Sequence, residues 1–182
     1  MPAEYEKTIS AKVAFWMISL MHDNRILPLI KNPYRILENA GLDKGQQVLE
    51  VGCGPGYFTL PAAEIVGEQG HVYAVDVNPY AIERVREKVA NAGIKNVTPM
   101  LENASETGLP DQSLDPAFLF GLPRVEGGMT SLLQELARII KPGGAVVLQK
   151  SRTEEQALVQ KMSEYGFTLA ERKGRMLVFQ PC

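Results

Sequence analysis

From residue 47 onward, short apolar runs alternate with stretches of helical spacing. Gln47-Val48-Leu49-Glu50-Val51 is rich in β-formers and runs into glycines, which predicts a first strand. A helix is expected over about Tyr57 to Val66, a second strand over His71 to Asp76, and a helix from about Pro79 to Ala92. That helix has Asn78 as its N-cap, Pro79 at its first position and Gly93 just past its end. A third strand is expected at Val97 to Leu101 and a fourth at about Ala117 to Phe120. The fourth is expected to begin late, because Pro116 has no N–H for a sheet. A helix from Thr130 to Ile140 should stop at the breaker Lys141-Pro142-Gly143-Gly144, ahead of a fifth strand at Ala145 to Gln149. Thr153-Glu154-Glu155-Gln156 fits a capping box, and Gly166 ends the helix it opens. Phe167 to Ala170 and Arg175 to Gln180 read as two strands joined at Lys173-Gly174.

The first 46 residues carry no strand pattern. They read as two helices, about Ala11 to Met21 and about Pro33 to Ala40, that cap the sheet or its ligand crevice. Packing as extra core is the plainer alternative. Strand and helix in alternation predict an α/β fold, a Rossmann-like doubly wound sheet with helices on both faces. A chain of 182 residues suits a single domain. Its expected parts are an N-terminal helical cap (1–46), a ligand-binding core (47–150) and a C-terminal helix with a hairpin (151–182).

Charge narrows the partners. The net charge of −2 shows no basic excess of the kind nucleic acid attracts. The N-terminal apolar run from Val13 to Met21 is too short to span a membrane, and Glu4 and Glu6 precede it where a signal peptide carries basic residues. Two cysteines far apart, Cys53 and Cys182, do not form a disulfide framework, so a reducing, cytoplasmic setting is expected. No metal site is expected. A small-molecule partner is.

The candidate chemistry lies in Glu50-Val51-Gly52-Cys53-Gly54-Pro55-Gly56. Glycines allow a tight turn with positive φ and let a ligand approach the backbone. In open parallel sheets ligands bind at the carboxyl ends of the strands. Asp76, 20 residues after Gly56, ends the second strand, where a carboxylate can accept both hydroxyls of a ribose. The plainer alternative for Asp76 is a surface-loop aspartate or the cap of the next helix; Asn78 already serves as the cap, which weakens that alternative. Dinucleotide sites show Gly-x-Gly-x-x-Gly, whereas the spacing here is Gly-x-Gly-x-Gly with Tyr57 at the last dinucleotide position. Pro55 removes an N–H from the turn, and no basic residue lies between Glu50 and Pro61. A pyrophosphate is poorly served, while a ligand with an amino group and a sulfonium is better served.

These residues resemble the motifs of class I S-adenosylmethionine-dependent methyltransferases, with a small UbiE-type core. Val48 to Gly56 looks like their first motif, and Val75-Asp76-Val77-Asn78 like their ribose motif. Glu102-Asn103-Ala104, followed by Leu109-Pro110 to Leu114-Asp115, is similar to the adenine-holding segment. Leu136 to Gly144 resembles the late helix–turn before the fifth strand, and the final hairpin fits the family's antiparallel last strand. The matches cover about Gln47 to Gln149 in family order.

The resemblance implies seven strands, mostly parallel, and S-adenosylmethionine as cofactor. It implies that Glu50 orients the methionine amino group and that Gly52, Cys53, Gly54 and Gly56 line the donor with their backbones. Asp76 would bind the ribose, Val77 the adenine face, and Asn103 and Ala104 the adenine edge. Phe120 and Gly121 would sit near the amino group and the transferred methyl. Asn103 departs from the aspartate that is frequent there, but its amide oxygen still accepts a hydrogen bond. The implied activity is methyl transfer to a small-molecule acceptor by in-line displacement, which needs alignment more than a base.

No catalytic residue is assigned. His22 is either a base brought over the site by the N-terminal segment or an exposed helix-end histidine. His71 reads as structural. Tyr57 faces the acceptor or packs, and Arg124 holds an anionic acceptor or lies on the surface. Cys53 reads as a turn residue and not a nucleophile. Phe15-Trp16-Met17-Ile18-Ser19-Leu20-Met21 faces a hydrophobic acceptor or membrane surface, or packs on the sheet. The segment Gly121 to Gly128 is expected at the lip of the acceptor site. The alternative to an enzyme is a non-catalytic module that keeps the nucleoside pocket to dock a partner, a homodimer included.

Overall fold

The computed structural model describes residues 8–22, 32–120, 127–149 and 155–182. The sheet is built from β1 (Gln47–Val51), β2 (His71–Asp76), β3 (Val97–Leu101), β4 (Leu114–Leu119), β5 (Ile140–Gln149), β6 (Phe167–Lys173) and β7 (Met176–Pro181). Its order is β3-β2-β1-β4-β5-β7-β6. The first five strands are parallel, and β7 lies antiparallel between β5 and β6. The chain winds outward from β1 to β3, then returns to place β4 on the other side of β1. That reversal makes the carboxyl ends of β1 and β4 the switch point where such sheets hold ligands.

Side chains alternate across the sheet, so its two faces carry separate cores. Leu49, Val51, Val75 and Leu148 pack under Leu132, Leu133, Leu136 and Ile139 of α5 (Gly128–Ile139) and Met162 of α6 (Glu155–Glu164). Val48, Val72, Ala74 and Phe118 pack under α2 (Pro33–Asn39), α3 (Thr59–Val66) and α4 (Pro79–Ala92). Asn32 caps α2 and Asn78 caps α4, each followed by Pro at the first position. Gly93, at φ +65°, closes α4.

The fourth strand starts earlier than its proline suggests. β4 begins at Leu114, and its register against β5 shifts between Leu114 and Pro116. Between the pairs Leu114↔Ile140 and Pro116↔Ala145, β5 advances five residues while β4 advances two. On the β1 side the Asp115 carboxylate replaces the ladder: one oxygen accepts the Gln47 N–H at 2.7 Å, the other the Lys141 ammonium at 2.7 Å. Lys141-Pro142-Gly143-Gly144 therefore forms a bulge within β5 rather than a loop before it. A Cβ on Gly144 would collide with the Asp115 carbonyl oxygen, so only glycine fits there.

β6 runs to Lys173, past the expected end at Ala170, because Glu171, Arg172 and Lys173 form a charged edge without apolar alternation. The hairpin turn is Gly174-Arg175, one residue later than Lys173-Gly174, since Lys173 pairs with Met176. The start of α3 is Thr59 and not Tyr57, because the glycine turn extends through Phe58. The proposed capping residues Thr153 and Glu154 lie outside the described residues.

α1 (Ile9–His22) leans on the start of α4 at the carboxyl edge of the sheet. The Asn78 side-chain amide donates to the Ala11 carbonyl at 2.9 Å, and the Phe15 and Tyr80 rings stack 6.3 Å apart. Val13, Trp16, Met17 and Leu20 stay exposed, so this stretch of α1 is not buried as a sheet-packing helix would be. Among the described residues no helix is long and apolar enough to cross a membrane.

Candidate active site at the carboxyl end of the sheet

The glycine turn folds over the end of β2. The N–H groups of Gly52 and Cys53 both donate to the Val75 carbonyl, at 2.8 and 3.1 Å, and Gly56 donates to Cys53 at 3.0 Å. Gly52, Gly54 and Gly56 all have positive φ, at +74°, +52° and +82°. That backbone explains the three glycines. A Cβ on Gly56 would also press on Val85 of α4 at 3.1 Å.

Two side chains fix the turn. Asp76 accepts the Gly54 N–H at 2.9 Å on one oxygen and the Asn78 N–H at 2.8 Å on the other. A carboxylate has about four acceptor sites, so Asp76 keeps acceptor capacity for a ligand hydroxyl. Burial raises the Asp76 pKa, opposed by the N–H groups of Asn78, Gly54 and Val77. From α4, the Lys88 ammonium donates to the Pro55 carbonyl at 2.7 Å. Sequence reading saw no basic residue near the turn and missed Lys88. Its one signal is helical spacing, since Lys88 stands three residues beyond Val85 on the face that meets Gly56.

Glu50 is 2% exposed at the end of β1. The Thr59 hydroxyl, from the first residue of α3, donates to it at 2.6 Å. Burial pushes the Glu50 pKa up to about 8; the Thr59 hydrogen bond lowers it and the Asp76 charge adds to the rise. Cys53 is buried beside it, and burial together with the Glu50 and Asp76 charges pushes its thiol pKa up, which fits a turn residue rather than a nucleophile.

Parallel register brings the other candidates to the same rim. Asp76 pairs with Leu101, which sets Asn103 and Ala104 just beyond the β3 end, near half-buried Val77. Ala104 is buried, and the Asn103 side-chain oxygen accepts the Ser105 N–H at 3.3 Å. Glu50 pairs with Phe118, so Phe120 projects past the end of β4. Phe120 packs on Phe58 and Phe118, with centroids 4.9 Å away in each case, and Tyr57 stands edge-on to Phe58 at 4.8 Å. Gly121 and Arg124 lie outside the described residues, as does the His22 side chain. His71 is at the opposite end of β2, bonded to Thr98 at 2.7 Å, away from the site.

A sheet that reverses at β1, with a glycine turn after that strand, an aspartate at the end of β2 and a buried acid bonded to a hydroxyl, has the architecture of the Rossmann-like methyltransferase class. Residues 42–177 match the family model described as a methyltransferase domain. The chain belongs to the class I S-adenosylmethionine-dependent methyltransferases and is similar to their UbiE-type members.

It is 32% identical over 144 residues to the ubiquinone/menaquinone biosynthesis C-methyltransferase UbiE of Marinomonas sp. (strain MWYL1), covering 78% of this chain and 57% of the relative. It is 35% identical over 113 residues to the demethylmenaquinone methyltransferase of Geobacillus stearothermophilus, covering 62% of this chain and 48% of the relative. The chain thus spans about half the length of these relatives. A SAM-dependent methyltransferase structure from Aquifex aeolicus superposes with a TM-score of 0.74 at 23% identity, over 91% of this chain and 96% of that one. The [4+2]-cyclase SpnF shares the fold at a TM-score of 0.66 and 19% identity, over 78% and 57%. Fold alone therefore does not fix the reaction.

S-adenosylmethionine, the cofactor of this family, fits the residues present. Three glycines of positive φ bring bare backbone to the strand ends, the Asp76 carboxylate stands beside that turn as an acceptor, and Glu50 is an acid at the end of β1.

Proposed function

We propose that the chain transfers a methyl group from S-adenosylmethionine to a small, ring-bearing acceptor of the quinone type. The observation that carries the donor half is buried Glu50, which has a hydroxyl and a second carboxylate for neighbours where a pyrophosphate site would have a base. When bound, S-adenosylmethionine supplies a methyl group on a positively charged sulfur. Glu50 favours the cationic end, the turn from Gly52 to Gly56 lines the donor, and Asp76 holds the ribose. Val77 packs on the adenine face, Asn103 and Ala104 meet its edge, and Phe120 with Gly121 borders the methyl.

For the acceptor, two lines of support agree. The relatives are named for ubiquinone and menaquinone precursors. The group of Tyr57, Phe58 and Phe120 beyond β4 offers aromatic faces and edges to a flat ring. Burial raises the Tyr57 pKa, so its hydroxyl keeps its proton at neutral pH and serves as a donor rather than a base. Rate then comes from alignment and exclusion of water.

The test incubates the purified chain with methyl-labelled donor and a reduced demethylquinone, beside a metabolite extract. Label in the quinone is expected. Donor binding with no labelled product from either would favour the non-catalytic module instead. Two free cysteines, one of them buried, support a reducing cytoplasmic setting. A single-domain organisation and a homodimer are carried as further expectations; limited proteolysis and light scattering check them.

A further inference from the structure

A second buried carboxylate lies outside this pocket. Glu135 of α5 is 8% exposed, on the side of the helix that faces the sheet. One of its oxygens accepts both the Thr107 N–H at 2.9 Å and the Thr107 hydroxyl at 2.6 Å. The Arg138 guanidinium grips the same carboxylate, Nε on one oxygen at 2.9 Å and a terminal nitrogen on the other at 2.8 Å. Arg138 also reaches Asp111. Burial works against the charge of Glu135, but hydrogen bonds from Arg138 and Thr107 outweigh it and hold the carboxyl below its ordinary range.

The segment that carries Thr107 and Asp111 joins β3 to β4. Crossovers between parallel strands are usually helical, yet no helix occurs between Leu101 and Leu114. Its shape comes from outside. Thr107 and Asp111 are fastened to one turn of α5, and Gln112 and Ser113 donate to the carbonyls of Arg138 and Ile139. The near end of the segment is a turn in which Glu106 N–H donates to the Asn103 carbonyl at 2.9 Å. Thr107 is the next residue, so the Glu135 carboxylate stands one residue from the turn that presents Asn103 and Ala104.

We propose that Glu135 is a positioning residue for donor recognition: through Thr107 it sets the Asn103–Glu106 turn where the Asn103 amide reads the adenine edge. The inference rests on the adenine reading of Asn103. A chelated acid on the neighbouring helix replaces the missing crossover helix as the rigid support of that amide.

The test compares binding of S-adenosylhomocysteine and its deaminated analogue, S-inosylhomocysteine, by calorimetry on the full chain. Wild type should prefer the adenosyl ligand by about tenfold, the size expected of one well-made hydrogen bond. Asn103→Ala should erase that preference. Thr107→Val and Glu135→Gln should each bring it down to about twofold, whereas Thr107→Ser should keep it. Thr107→Val is nearly isosteric and keeps the test alive where Glu135→Gln does not fold. Equal loss of affinity for both ligands in Thr107→Val would mark the network as plain scaffolding and overturn the inference. An unchanged preference in Thr107→Val, with loss in Asn103→Ala, overturns it as well. A preference unmoved by Asn103→Ala sinks the adenine reading itself, and the two failures are thereby told apart.

Discussion

The Thr59 hydroxyl donates a 2.6 Å hydrogen bond to the buried Glu50 carboxyl, so the first residue of α3 holds the last acid of β1. Burial keeps that acid protonated up to a pKa of about 8, against an ordinary 4.5. Between those values the folded chain holds a proton that the unfolded chain has lost. The stabilising contribution of Glu50 is therefore complete below about 4.5 and is lost as pH climbs to about 8. A cation beside Glu50 favours the ionised form, so donor binding should release a proton and tighten as pH rises from about 6 to 8. Calorimetry in buffers of different ionisation enthalpy reads the release. Glu50→Gln should abolish it; persistence of the release in that variant would assign the proton to another group.

Asp76 accepts the Gly54 and Asn78 N–H groups at the turn and keeps acceptor capacity for a ligand. Asp76→Ala removes a charged acceptor and strands the Gly54 N–H. Affinity for S-adenosylhomocysteine should fall on the order of 10- to 100-fold, as for loss of hydrogen bonds to a charged group. Equilibrium dialysis giving a value within about twofold of wild type, the scatter of a neutral change, would remove Asp76 from the ribose.

Lys88 braces the glycine turn from behind through the Pro55 carbonyl. Lys88→Met keeps the aliphatic stem and removes the ammonium. Donor affinity should drop about fivefold, the worth of one charge-assisted hydrogen bond at a half-exposed site. Lys88→Arg should recover part of it. A lowered melting temperature with unchanged affinity would show that the contact serves the fold and not the pocket.

Most of the fold was legible because its signals are local. The strand Gln47–Val51, the glycine turn, Asp76 and the Asn78-Pro79 start of α4 each sit within a few residues of their own cause. Lys88 and Glu135 were not legible, because their partners lie 33 and 28 residues away and are reached only across packed elements. Glu135 did leave a trace, an acid set among Leu132, Leu133, Leu136 and Ile139 on a buried helix face. The Pro116 reading failed instructively. Proline does lack the ladder donor, but the strand begins at Leu114 all the same, and at its start the Asp115 carboxylate is the acceptor of the Gln47 N–H in place of a backbone carbonyl.

That substitution makes Asp115 a stability site. Asp115→Ala leaves the Gln47 N–H without its acceptor and Lys141 without its partner. The cost should be about 1–3 kcal/mol, that of a stranded donor. Urea unfolding measures it as a lower midpoint at unchanged slope. A midpoint equal to wild type would show that water replaces the carboxylate at no cost.

The two atoms of the Asn78 amide do different work: the oxygen accepts the Tyr80 N–H to start α4, and the nitrogen holds the Ala11 carbonyl of α1. An aspartate would cap the helix as well but has no N–H to give. In chimeras between members of the family, α1 and the β2–α4 corner are thus one cassette. A transplanted N-terminal helix keeps its seat only on a host with asparagine at that corner, and a library that shuffles the two pieces separately will recover them together.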